Sequence, residues 1–147
     1  MATFTSSELT SQVRELHAGL QSKSSSLTVA VTGTASSVVY LAKIPDQATI
    51  VDFIWAIADA GANNTWKLGL QLPEGSASST VTESALLTET ASTLGVTLRP
   101  SGLKLPYKVS ISDTCVQRWA WIQGVCTAAI SASADQRFSV IYTMDGS

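Results

Sequence analysis

The chain has 147 residues, 14% of them charged, and a formal net charge of −2. This length is typical of one domain, which can bury about two-thirds of its unfolded surface. Because the sequence has no basic cluster that could neutralise a row of phosphates, its charge argues against nucleic acid as a partner.

The first ten residues, MATFTSSELT, have neither the basic start nor the apolar stretch of a signal peptide. No apolar run approaches the length that crosses a bilayer. We therefore predict a protein that is made soluble in a cytosol and has no membrane partner. Ser and Thr are abundant while Lys, Arg and Glu are sparse, and a surface so poor in charge suits burial against neighbouring subunits.

A stripe of aliphatic residues predicts a short amphipathic helix near the N-terminus. Its members are Leu9, Val13, Leu16 and Leu20. Thr5 and Glu8 have the spacing of a capping box, and the SKSSS segment at 22–26 is expected to act as a flexible tether. Residues 1–25 would then form a helical arm and residues 26–147 a separate domain. The stripe is the candidate partner-binding surface, and the helix packs either on its own domain or on a partner or sister subunit.

After the predicted helix, two runs with a period of two residues predict β-strands before residue 46. The first contains Leu27, Val29 and Val31, and the second places Val38, Tyr40, Ala42 and Ile44 on one face. Pro45 followed by Asp46 is typical of a turn. Residues 26–46 therefore begin the all-β domain.

The segment from Thr49 to Leu72 carries two of the four tryptophans and predicts a long β-hairpin. One face of its first strand is large and apolar, with Val51, Phe53, Trp55 and Ile57. The second strand alternates almost strictly, with Trp66, Leu68, Leu70 and Leu72 on its apolar face. The DAGANN segment between them suits a chain reversal. We interpret both tryptophans as core residues.

The remaining sequence predicts a loop followed by several short strands. Residues 73–93 have no strand period and could contain one or two helical turns within ESALLTETA. Alternation returns near Val96, Val109 and Val140, and a reversal is possible at Gln123-Gly124. A total of eight or nine strands with turn signals between them indicates an antiparallel β-sandwich or jelly roll.

Residues capable of catalysis are few. The only histidine is His17, on the predicted helix, and no nucleophile elbow, phosphate loop or metal-ligand cluster occurs. Asp52, Asp59 and Asp113 could form paired carboxylates as in a glycosidase, but their positions favour surface or turn roles. We therefore expect no enzyme activity, no metal and no cofactor.

Cys115 and Cys126 are predicted to be reduced thiols, as in a cytosolic protein, and the Asn63-Asn64-Thr65 sequon is interpreted as a turn only. Trp119 and Trp121 could form a stacking platform for sugars or bases. Aromatic residues two apart on a strand are more often part of the core, which is the interpretation favoured here.

Three segments resemble the capsid decoration, or cement, proteins of tailed bacteriophages. They are VVYLAKIPDQATIVDFIWAIADAGANNTWKLGL, LPYKVSISD and RFSVIYTM. The first has an apolar strand ending in a proline-containing turn, a strand of large core residues, and a Gly/Asn turn before the next strand. The resemblance covers roughly residues 37–144.

This resemblance implies a jelly-roll-like fold and a trimer that binds the major capsid protein on the outer surface of the virion, stabilising the shell without catalysis. Synthesis would take place in the host cytoplasm. A carbohydrate- or receptor-binding sandwich is the alternative, and it would need aromatic residues on a solvent-facing surface.

Overall fold

The computed structural model describes residues 3–5, 20–29, 37–58, 65–75, 81–91, 96–98, 105–126 and 133–144. Every regular element in these ranges is a β-strand. The strands are β1 (Thr3–Thr5), β2 (Leu20–Val29), β3 (Val38–Pro45), β4 (Ala48–Ile57), β5 (Thr65–Gln71), β6 (Val81–Ala91), β7 (Val96–Leu98), β8 (Tyr107–Lys108), β9 (Trp119–Cys126) and β10 (Ala134–Met144).

The strands form two sheets that pack as a sandwich. Sheet A has the order β1-β3-β9-β5-β6, and sheet B has the order β2-β10-β4-β7, with β8 also paired to β4. All pairs are antiparallel except β1 with β3. Strands β2, β3, β4 and β5 alternate between the sheets along the chain. This confirms the expected all-β, antiparallel sandwich, and the jelly-roll topology stays a prediction.

Both strands predicted between residues 49 and 72 are present, but the prediction that they pair with each other as a hairpin is wrong. β4 lies in sheet B beside β10, and β5 lies in sheet A beside β9 and β6. Hairpin partners would turn their apolar faces to the same side of one sheet. Here the two apolar faces instead meet across the sandwich, so the 49–72 segment supplies both walls of the core.

Trp55 of β4 lies at the centre of this core, where it is fully buried against residues of both sheets. Its ring meets Trp66 of β5 edge-on, with centroids 5.6 Å apart. A Cβ atom at Gly124 of β9 would lie only 2.6 Å from Cη2 of Trp55, so the indole occupies space that the glycine leaves open. The Nε1 group of Trp55 donates a hydrogen bond to Oε1 of buried Gln136 at 3.0 Å. The core interpretation of Trp55 and Trp66 is therefore confirmed.

Two β-bulges change which face a residue occupies. Tyr142 pairs with Ile50 and Ile141 pairs with Asp52, so Val51 has no opposite residue in β10. Ile50 is consequently buried and Val51 is 38% exposed, which corrects the predicted face of Val51. A second irregularity between Tyr40 and Ala42 separates residues that were predicted to share one face.

The described residues near the N-terminus are strands. Leu20 begins β2 and is 68% exposed, so it does not lie on a helix. The SKSSS segment is not a tether, because residues 22–26 pair with β10, and residue 25 falls inside that strand. Residues 9–19, with Leu9, Val13 and Leu16, lie outside the described residues. The helix there and the division into an arm and a sandwich domain stay predictions.

Two further expectations need correction. The 81–91 segment was predicted as loop or helical turns but forms β6, paired with β5. Gln123 and Gly124 are not a reversal, because they lie within β9 and pair with strands on both sides. The predicted turn at Pro45-Asp46 is confirmed, since the chain turns at Asp46 and Gln47 and enters the other sheet.

Replacing Trp55 by alanine is expected to lower the free energy of unfolding by about 3–5 kcal/mol, because the cavity would open between both sheets. Guanidinium unfolding followed by far-ultraviolet circular dichroism measures the change. Ile54→Ala is the matched control, since the adjacent side chain is 36% exposed and its loss is expected to cost less than about 1 kcal/mol. Equal midpoints for Trp55→Ala and the wild type would contradict the central position of this indole.

Candidate functional site

The outer face of sheet A carries an aromatic cluster made of Tyr40, Trp119 and Trp121. Ala120 and Ile122 of β9 are fully buried on the core side. Strand alternation therefore directs Trp119 and Trp121 outward, where both are half-buried. The interpretation of these two tryptophans as core residues is wrong.

The rings of the aromatic cluster contact one another in tilted and edge-on geometries. Trp119 and Trp121 have centroids 5.6 Å apart and an interplanar angle of 87°. Tyr40 and Trp121 have centroids 5.1 Å apart at 35°. The hydroxyl of Tyr40 is 2.6 Å from Oε1 of Gln71, to which it donates a hydrogen bond. Because Tyr40 lies on β3 and Gln71 on β5, this bond bridges β9 and fixes the Tyr40 ring.

Lys43 holds the two indole rings from the β3 side. It pairs directly with Trp121 across the strands, and its Nζ atom lies 4.9 Å from the Trp119 centroid and 5.5 Å from the Trp121 centroid. Only 8% of Lys43 is exposed. An ammonium group at this distance is attracted to the negative ring faces. Lys43 thus stabilises the cluster and places a positive charge against it.

A groove opens beside the aromatic cluster, with a volume of about 280 Å³. It is lined by the aromatic cluster together with Gln71, Pro73, Glu74 and Gln117. We call it the aromatic groove. Lys43 does not line it. Amides, a carboxylate and aromatic rings therefore meet in one concave surface.

The walls of the aromatic groove are tied to the segment before β9. The thiol of Cys115 lies 3.6 Å from the carbonyl oxygen of Glu74 and donates to it. The side-chain amide of Gln117 donates to the carbonyl oxygen of Trp119 at 2.9 Å. These bonds connect the loop after β5 to the strand that carries both tryptophans. The rim of the groove is thus held on both sides.

An ion pair at the corner between β3 and β4 anchors this segment. The guanidinium of Arg118 contacts the carboxylate of Asp46 and donates to the carbonyl oxygens of Ser112 at 2.8 Å and Cys115 at 3.2 Å. The other carboxylate oxygen of Asp46 accepts the backbone N–H of Ile111 at 2.8 Å. We call this arrangement the corner clamp. It positions residues 111–118 and so the start of β9.

Of the residues considered for catalysis, the structure describes Asp52 in β4 and Asp113 in the segment before β9. Asp52 accepts a hydrogen bond from the backbone N–H of Phe53, and Asp113 is exposed in a turn. Asp59 and His17 lie outside the described residues. Across the described ranges, no group of three His, Cys, Asp or Glu side chains could hold a metal ion, and no helix there is long and apolar enough to cross a membrane.

Both cysteines are free thiols, as predicted. Cys126 is fully buried and contacts the carbonyl oxygen of Ser37 at 3.6 Å. Its burial raises the pKa of the thiol, an effect partly opposed by its hydrogen bonds. Cys126 is therefore a core residue and an unreactive thiol, whereas Cys115 is half-buried beside the groove.

Sequence reasoning identified Trp119 and Trp121 but missed their partners. Tyr40, Lys43 and Gln71 come from strands far apart in the sequence, and only the sheet order brings them beside β9. One local signal did exist. Small or aliphatic Ala120 and Ile122 alternate with the tryptophans, which fits a strand whose aliphatic face is the buried one.

No family model matches the chain, and no curated protein matches it. Chains of solved structures are similar, among them the following two. A chain of the cyanophage Pam1 capsid asymmetric unit has a TM-score of 0.65 and 14% identity, over 93% of this chain and 93% of that one. A chain of the Ralstonia phage GP4 capsid has a TM-score of 0.64 and 13% identity, over 99% of this chain and 100% of that one. These likenesses show a shared fold.

Arg118→Ala is expected to lower the free energy of unfolding by about 1–3 kcal/mol, because the carboxylate of Asp46 would lose its charged partner inside the corner clamp. The side chain of Asp46 is only 7% exposed. Urea unfolding measures the effect, and Arg137→Ala, at an exposed position of β10, is the control, with a change within about 0.5 kcal/mol. Equal losses in the two variants would show that the clamp contributes no specific stability.

Proposed function

We propose that this chain is a structural protein of a phage virion, which binds the outer surface of the capsid as a homotrimer and stabilises the shell. The observation that carries the proposal is the likeness to chains of two phage capsids, which extends over 93% and 99% of this chain. A likeness of that extent involves the whole sandwich, not a shared motif. The partner is the major capsid protein, with no role for nucleic acid or membrane.

The surface chemistry supports attachment to protein neighbours. Only 14% of the residues are charged, and the exposed positions of β2 are mostly Ser and Thr. Such a surface can be desolvated at a lower cost than a charged one. Among the strands that the structure describes, β2 is the outermost strand of sheet B over ten residues, and Leu20 at its start is 68% exposed. An exposed edge of this length is a template for pairing or packing with another chain.

Stabilisation of a shell requires contacts rather than chemistry. A protein bound across neighbouring capsid subunits resists their separation by the free energy of its own binding. Trimeric presentation multiplies this effect, because three attached subunits must dissociate together. The sandwich provides a rigid body for such contacts, since its core residues fill both sheets. Residues 6–19, which precede exposed Leu20, are the proposed extension toward the shell or a sister subunit.

The molar mass of the isolated protein in solution tests the proposed homotrimer. Multi-angle light scattering of the isolated protein at micromolar concentration is expected to give three times the chain mass of 15.4 kDa. Dilution should leave the mass unchanged if the interface reaches the size of stable complexes, about 1,200–2,000 Å² of total buried surface. A mass of one chain across the concentration series would contradict the homotrimer.

Capsid attachment is tested with shells that lack the protein. The wild type is expected to bind them and to raise their disruption temperature, whereas Leu9→Ser, Val13→Ser and Leu16→Ser combined are expected to bind more weakly. Each fully buried aliphatic side chain contributes about 1.5–3 kcal/mol before ordering costs. Substitution is preferable to deleting residues 1–25, since that deletion removes β1 and six residues of β2.

The control for the triple variant is Ser11→Ala, Gln12→Ala and Glu15→Ala combined, which changes the same segment but retains the aliphatic stripe. This control is expected to bind as the wild type does. Wild-type binding by the serine variant would show that the stripe makes no capsid contact. Failure of the wild-type protein to bind or stabilise any shell would overturn the proposed function itself.

A further inference from the structure

We propose that the aromatic groove binds a neutral sugar ring, of the pyranose class. Attachment to a capsid does not require a small ligand, so this inference goes beyond the proposed function. It starts from the placement of Trp119 and Trp121 on the solvent side of β9, half-buried and in contact with the groove. Side chains on that side do not contribute to the core between the sheets, so core packing does not explain the two large indoles there.

The size of the groove suits one ring. Its volume of about 280 Å³ lies just below the range of roughly 300–1,000 Å³ that holds drug-sized ligands. A pyranose has one face made of C–H groups and a rim of hydroxyls. The negative faces of the indoles attract the slightly positive C–H hydrogens, while the apolar contact removes water from both surfaces. The aromatic cluster therefore offers the surface that such a ring packs against.

The polar residues that line the groove can form hydrogen bonds with the hydroxyl groups at the rim of the sugar ring. Glu74 supplies an exposed carboxylate, and Gln71 and Gln117 supply side-chain amides around the same groove. Sugar hydroxyls both donate and accept hydrogen bonds, and a carboxylate or amide can engage two neighbouring hydroxyls at once. The phenol of Tyr40 adds a group that can accept while it donates to Gln71. Stacking surface and polar rim thus lie within one site.

The charges around the groove argue against the other ligands that aromatic residues recognise. A quaternary ammonium ion in the groove would lie near the ammonium of Lys43, which is 4.9 and 5.5 Å from the two indole centroids. A second cation there would be repelled. A nucleotide could stack its base, but its phosphates would approach Glu74 on a chain of net charge −2. A neutral polyhydroxylated ring meets neither repulsion.

The groove is also held in place before any ligand binds. Lys43 and the Tyr40–Gln71 bond fix the rings, the corner clamp fixes the segment before β9, and Cys115 bonds the loop that carries Glu74. Binding therefore requires little ordering of side chains. A rigid single-ring site of this kind is expected to bind a monosaccharide with a dissociation constant on the order of 1–10 mM.

The indole N–H signals in ¹H–¹⁵N spectra provide the test, because the chain has four tryptophans in two environments. Methyl glycosides of glucose, galactose, mannose and N-acetylglucosamine are titrated separately into the full-length protein. At least one is expected to shift the signals of Trp119 and Trp121 saturably, while Trp55 and Trp66 in the core stay unchanged. Absence of a saturable shift with all four glycosides, or shifts confined to the core indoles, would overturn the proposal.

Substitutions of groove residues test whether the glycoside binds in the aromatic groove. Trp119→Ala and Trp121→Ala are expected to weaken it about tenfold or more, in line with the contribution of a stacked ring. Trp119→Phe and Glu74→Gln disturb the fold less and are expected to weaken it measurably. Val116→Ala, at a position 97% exposed and outside the groove lining, is the control and should bind as the wild type does. Unchanged affinity in both Trp119→Phe and Glu74→Gln would overturn the assignment.

Two further measurements define the class of ligand and separate the two proposals. Tetramethylammonium is expected to leave the Trp119 and Trp121 signals unchanged, and binding tighter than that of the glycosides would overturn the neutral-sugar assignment. Capsid binding is measured independently, with and without saturating glycoside. Sugar binding that persists when capsid binding fails would remove only the virion function, and the reverse result would remove only the sugar site.

Discussion

The contact of Trp55 with Gly124 sets the spacing on which the rest of the sandwich depends. Trp55 belongs to sheet B and Gly124 to sheet A, and the indole fills the volume that a side chain at 124 would need. Large aromatic side chains in a sheet interface normally hold the sheets about 10 Å apart. Here the absence of a side chain at Gly124 leaves room for the Trp55 indole, and Trp66 packs against that indole edge-on.

The same strand that accepts Trp55 carries the groove on its other side. In β9, Ala120, Ile122 and Gly124 face the core, while Trp119 and Trp121 face outward. The core packing therefore fixes the height and tilt of the surface on which the aromatic cluster lies. On the inner face Gly124 leaves space for the Trp55 indole, while the two tryptophans of β9 lie on the outer face. The alternation of β9 therefore places core residues on one side of sheet A and the aromatic cluster on the other.

The corner clamp connects the core packing of β9 with the outer face that carries the aromatic cluster. Asp46 lies where the chain leaves sheet A for sheet B, and Arg118 immediately precedes β9. Their ion pair, with the backbone bonds around it, fastens the segment before β9 to the β3–β4 corner. Such partners offset the cost of removing a carboxylate from water. The clamp therefore gives the otherwise irregular stretch of 109–118 a defined path beside the groove.

Local patterns in the amino-acid sequence were sufficient to predict an antiparallel β-sandwich and many of its core residues. Period-two alternation located β4, β5 and β10, and Trp66 and Phe138 are buried as their neighbours in sequence implied. Alternation is a local property that arises from the pleat of a single strand, so one strand's residues suffice to reveal it. The same reasoning established that the chain is poor in charge and in catalytic groups.

The pairing of the strands and the outward position of the aromatic cluster depend on long-range contacts that local sequence patterns do not reveal. β4 and β5 are adjacent in sequence yet lie in opposite sheets, and the 81–91 segment becomes a strand because β5 offers it an edge. The bulge at Val51 and the outward position of Trp119 depend on partners from distant parts of the chain. Burial of a face is set by whatever packs against it, and that information does not reside in the strand's own residues.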